Sequence, residues 1–149
     1  MKFNLNNPNY TLMAIRYHID TLLNCVFIQH LDDLVHGEFK KHVQQILDDS
    51  KFQLGMNFLH DASNISFVEN PTTKSIGAKR DRLKKFDDPE IGTCRIAWVV
   101  ATAIDYGIMH RISVTNRFNP EVERRPFRDS EKARTWLEIP EDYEINYGN

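Results

Sequence analysis

Apolar and polar residues alternate at Met13, Ile15, Tyr17 and Ile19, a period of two that predicts a half-buried strand over residues 12–19. Asp20 and Thr21 supply a turn, and NCVFIQH returns as a second strand over 24–30, so the pattern opens with a hairpin. The period then lengthens. Val35, Phe39, Val43, Ile46 and Leu47 recur close to helical spacing, which predicts a helix over 33–48 capped by Asp32 or Asp33. Gly37 weakens the first turn of that helix and favours a start one turn later. A third strand is expected over 52–59, and a helix over 71–86 on the thin stripe Ile76, Leu83 and Phe86. Residues 95–101 are apolar on both faces, as a central parallel strand is.

Ile108, Ile112 and Thr115 place a further helix over 105–116. The stretch VERRPF over 122–127 reads as an edge strand, because Pro126 cannot donate to a ladder and its neighbours are charged. The hairpin strand 12–19 is then the opposite edge. Asp129 caps a short final helix over 130–137, with Ala133, Trp136 and Leu137 facing inward. The order β-β-α-β-α-β-α-β-α implies an α/β domain: a mixed, mostly parallel sheet of about five strands and about four helices. The core of this single domain runs over 12–137, with a polar arm at 1–9 and an acidic tail at 138–149. Tyr143, Ile145 and Tyr147 alternate with polar residues in that tail and are spaced to cover a sheet edge.

Composition narrows the function. With 149 residues, 41% of them hydrophobic and 27% charged, the chain suits one packed core and not disorder. A net charge of −2 gives no global attraction to nucleic acid or anionic membrane. The apolar run at 96–104 falls short of the ~20 residues a membrane span needs. The first ten residues lack the apolar region of a signal peptide. Cys25 and Cys94 lie in apolar surroundings without a Cys-x-x-Cys motif, and read as buried free thiols of a reducing cytoplasm.

The unit order, the step HDASNISFVENPTT over 60–73, and the ending RIAWVVATAIDYGIMHR…VERRPFRDSEKARTWL together resemble the STAS superfamily. The nearer likeness is to its SpoIIAA-like bacterial branch, and it covers about 13–137. Anti-sigma-factor antagonists of this superfamily carry a strand ending in Asp-x-Ser, then Asp-Ser-Ser-Gly at the next helix start, whose first serine is phosphorylated. Asp61-Ala62-Ser63 matches the first element, but the second reads Glu69-Asn70-Pro71-Thr72. Asn70 at the phosphoacceptor position has no hydroxyl, and Thr72 replaces the glycine. The resemblance implies the fold and a binding role without that switch. In physical terms Asn70 suits a helix cap and Pro71 the first helical position, so 58–73 reads as strand, loop and cap.

No catalytic, metal or cofactor residues are expected. The six histidines show no metal-ligand spacing. His60 and Asp61 point to opposite faces of a strand, so with Ser63 they make a triad in composition only. The basic stretch Lys74 to Lys85 opposes the apolar stripe of its helix and reads as a solvated face, not a nucleic-acid surface. What stands out is placement. The topology gathers Asp61, Ser63, Asn70, Thr72, Asp105 and Asp129 at the strands' C-terminal rim, where open α/β sheets bind ligands. The expected function is a non-enzymatic cytoplasmic regulatory or binding module for a protein partner or small ligand, with self-association open at the hairpin edge. An apolar-ligand or lipid carrier is the first alternative, and a phospho-regulated anti-sigma-factor antagonist the second.

Overall fold

The computed structural model describes residues 14–32, 38–68, 90–115 and 120–147. In chain order the elements are strands β1 (Ile15–Asp20) and β2 (Cys25–His30), helix α1 (Glu38–Leu47), and strands β3 (Asn57–Asp61) and β4 (Cys94–Val99). Helix α2 (Ala103–Thr115), strand β5 (Val122–Phe127) and helix α3 (Ser130–Trp136) follow. The five strands form one sheet in the order β1-β2-β3-β4-β5. β1 runs antiparallel to β2, and every other pair is parallel. The α/β class, the opening hairpin and both edges agree with the sequence pattern. Three helices lie among the described residues; the helix expected over 71–86 lies outside them.

The hairpin turns at Asn24, which takes a positive φ of 53° while the Asp20 carboxylate accepts the Leu22 and Leu23 N–H groups. The third strand starts later than the pattern suggests, at Asn57 in place of residue 52. Phe52 is instead held in a turn by its N–H bond to the Asp49 carbonyl, and Gly55 follows at φ +90°. Gly92, at φ +83°, lies so close that a Cβ there would stand 2.7 Å from the Gly55 nitrogen. These two glycines let the entries to β3 and β4 touch, and Gly55 N–H donates to the Ile91 carbonyl at 2.8 Å.

Strand alternation sorts the core into two layers. One face carries Ile15, Ile19, Val26, Ile28, Phe58, Ile96 and Trp98, covered by Ile46 and Phe39 of α1 and Met109 of α2. The other carries Cys25, Phe27, Leu59, Ala97 and Val99, covered by Ala133 and Leu137. Cys25 and Cys94 therefore sit in different layers as free thiols, and burial pushes them up to about 12 and about 11.

The tail belongs to the fold. Ile139 is buried in the second layer, and Tyr143, Ile145 and Tyr147 pack against it. The Tyr143 ring stacks on Phe27 at 5.4 Å, its hydroxyl donates to Asp20 Oδ2 at 2.7 Å, and Arg134 Nη1 donates to its carbonyl at 2.6 Å. The tail thus covers the face of the hairpin, where the sequence pattern placed it at an edge. Ile139→Ala should cost about 3 kcal/mol in urea unfolding, by lost burial and the cavity left behind. Tyr143→Phe, which keeps the ring on Phe27, should cost only about 1 kcal/mol. Equal costs for the two would show that the tail is held by its hydrogen bond and not by apolar packing.

Candidate functional site

The predicted rim is built of side chains already engaged in local structure. Asp61 Oδ1, at the end of β3, accepts from the backbone N–H and the hydroxyl of Ser63 at 3.1 and 2.6 Å, closing a tight turn. Asp129 caps α3 by accepting the Glu131 N–H at 2.9 Å. Asp105 is buried, with its Oδ1 accepting from Ser66 Oγ at 3.1 Å and Phe67 N–H at 2.8 Å. Its Oδ2 accepts from Thr102 Oγ1 at 2.8 Å, while Thr102 Oγ1 in turn accepts the Asp105 N–H. Thr102 is thus the cap of α2 and Asp105 its reciprocal partner three residues on, so α2 opens earlier than 105. The same carboxylate ties down the segment after β3, whose Ile65 and Phe67 enter the core. Asn70 and Thr72, with the cap expected at Asn70-Pro71, lie outside the described residues. Asp61, Ser63, Asp105 and Asp129 thus each take part in a local turn, cap or segment-joining hydrogen bond.

The chemistry that sequence reading missed lies on the α1 side of the sheet. Register sets Ile28 opposite His60 and His60 opposite Trp98, so these side chains share one face, and His30 lies two residues beyond Ile28 on the same face. His30 Nε2 and His60 Nδ1 are 2.9 Å apart, and both rings are buried. His60 lies flat on Trp98, with centroids 3.8 Å apart and an interplanar angle of 5°. Phe39 of α1 closes over the group at 6.0 Å from His30 and 6.4 Å from Trp98. A signal existed in the chain, since His30 and His60 each end an apolar run. Only the pairing of β2 with β3 shows that the two meet.

Beside this stack is a pocket of about 40 Å³ between the sheet and α1. Phe39, Val43 and Ile46 form its helix wall, and Ile28, Phe58 and Ile96 its sheet wall. Trp98 and His60 line one side and Arg124 of β5 another. Arg124 was expected on a charged outer edge, but it reaches inward, and burial pulls its guanidinium down to about 10, still cationic at neutral pH. Among the described residues no three His, Cys, Asp or Glu side chains are grouped to hold a metal ion, and no helix is long and apolar enough to cross a membrane. Comparison with family models, curated proteins and solved structures gave no match.

The two imidazoles are held neutral. Burial pulls His30 down to about 4, opposed by Asp61 and helped by His42. Burial, then the His30 and Arg124 charges, hold His60 well below the ordinary range. An unfolded histidine takes its proton near 6.5, so below that pH the unfolded chain binds more protons than the folded one. The stability contributed by the pair is therefore fully present above about pH 6.5 and is lost as the pH falls below it. Urea midpoints measured from neutral to mildly acidic pH should track this fall, whereas a flat profile would mean that the pair is not buried neutral.

Asp105→Ala strips three donors, the buried Phe67 N–H among them, of their acceptor and should cost about 3 kcal/mol. Asp129→Ala, at an exposed cap, should cost about 1 kcal/mol. Thermal or urea unfolding of the two variants distinguishes a carboxylate that joins two segments from one that only starts a helix.

Proposed function

We propose that this chain is a non-enzymatic binding module of STAS-like fold, and that its site is the pocket between α1 and the sheet, not the strand-end rim. One observation carries the reading: an apolar cavity with two polar side chains, His60 and Arg124, set in its wall. Small-molecule sites are of this kind, mostly apolar with a few fixed polar groups that orient the ligand. The STAS-like part of the proposal rests on the sequence motifs, supported by the mixed sheet with its opening hairpin and parallel remainder. A non-catalytic role is supported by the use of Asp61, Asp105 and Asp129 in turns and caps. The two buried free thiols accord with a cytoplasmic setting. Of the earlier alternatives, the apolar-ligand carrier merges with this reading, since a regulatory module can sense what it holds.

Native mass spectrometry of the purified protein should show a retained small molecule that leaves on mild activation. The protein should also bind short apolar compounds, read as a change in Trp98 fluorescence. Val43→Phe, which fills the pocket from its helix wall, should weaken that binding at least about tenfold while leaving the fold intact. Bare protein with no response to any such compound, or a Val43→Phe variant that binds as well as the parent, would sink the proposal.

A further inference from the structure

The hydrogen-bond arithmetic of the histidine pair fixes which kind of polar group the pocket offers. The contact between His30 Nε2 and His60 Nδ1 holds a single proton, donated by one ring and accepted by the other. His30 Nδ1 is buried with no hydrogen-bond partner among the described residues. If His60 Nδ1–H were the donor, neutral His30 would carry its own proton on Nδ1, leaving a buried N–H orphaned. If His30 Nε2–H is the donor, the orphan is a bare acceptor. Orphaned backbone N–H groups are rarer in protein interiors than under-used acceptors, and the same preference applied to these rings favours the second arrangement. His60 is then a neutral ring protonated at Nε2, the nitrogen not occupied by His30.

Both polar side chains that line the pocket then have a donor to offer, His60 its Nε2–H and Arg124 its guanidinium. Arg124 is also the one charged side chain among the described residues that line it. Its five N–H groups leave room for a ligand oxygen beside any contact it already makes. Burial has already removed much of its water, which strengthens any charge-assisted bond formed there. The apolar wall excludes a fully hydrated ion, and the volume admits about three waters' worth of ligand body.

We propose that the pocket takes a small carboxylate with a compact apolar body, its oxygens received by Arg124 and His60 Nε2–H and its body by the Phe39, Ile46 and Phe58 side chains. This rests on the pocket being the ligand site and adds the ligand's chemical class.

Butanoate and 1-butanol make the test, because they share a three-carbon body that matches the volume and differ in the acceptor head. In NMR titrations of the full chain near neutral pH, butanoate should bind about tenfold or more tightly than butanol, with shifts centred on Trp98 and His60. Arg124→Met should lower butanoate affinity to the level of butanol and leave butanol unchanged. Nitrogen-15 spectra should show both His30 and His60 protonated at Nε2. If neither compound binds, the ligand-site reading itself falls. If butanol binds as well as butanoate, if Arg124→Met leaves butanoate unaffected, or if His60 carries its proton on Nδ1, the pocket can still hold ligands but the anion assignment is overturned. The comparison on the parent protein and the nitrogen spectra decide the matter even if Arg124→Met fails to fold.

Discussion

A sheet whose inner strands run parallel is apolar on both faces and must be covered on both. That constraint shapes everything else in this chain. β2 is buried at five of its six positions and β4 at five of six, so neither face can be left to water. On one side α1 and α2 supply the cover. On the other, the described residues offer only α3, seven residues long, which reaches Leu59, Ala97 and Val99 but leaves the hairpin end of the sheet open. The tail fills that gap, and its aromatic rings lie where a second helix would otherwise be needed. Acidic residues of the tail stay in water while Ile139, Tyr143 and Ile145 face the sheet, so a segment of acidic composition still contributes apolar cover.

The same demand explains the pocket. The layer under α1 is filled with rings (Phe39, Phe58, His60 and Trp98), and rings stacked in register pack less flexibly than aliphatic chains. Where the stack ends against α1 and β5, a cavity is left. Two polar groups border it, and each has a reason to be there. His60 is held by its partner His30 and by the face of Trp98, and Arg124 reaches inward from an edge strand. Burying neutral imidazoles is affordable because one nitrogen of each is shared. Burying part of a guanidinium costs more, and Arg124 still keeps its charge at neutral pH.

The rim shows how much local hydrogen bonding can gather where a placement rule expects a ligand. Asp61, Asp105 and Asp129 do lie at ends of strands or starts of helices, as the topology required. Each has an oxygen accepting from a neighbouring N–H or O–H group, and Asp105, with both oxygens engaged, is the most committed, joining Ser66 and Phe67 to the start of α2. A carboxylate beside a helix start reads the same in sequence whether it serves a ligand or its own backbone. Only the hydrogen-bond partners separate the two cases.

Sequence alone determined the class, the hairpin, the order of the described elements and both sheet edges, because these follow from local periodicity and from Pro126. Helix α3 and its Asp129 cap were equally legible, since a cap is made within three residues. Strand β3 was placed too early, because a turn stabilised by Asp49 and a pair of touching glycines cannot be seen in an apolar pattern. The tail's seat on Phe27, the meeting of His30 with His60 and the inward turn of Arg124 were decided by tertiary structure. Each joins side chains or elements distant in sequence, and strand register brings them together: Ile28 opposite His60, His60 opposite Trp98, Ile96 opposite Arg124. Shifting any one of these pairings by a single residue would turn its side chains to the other face, so the site exists only once the sheet has chosen its register.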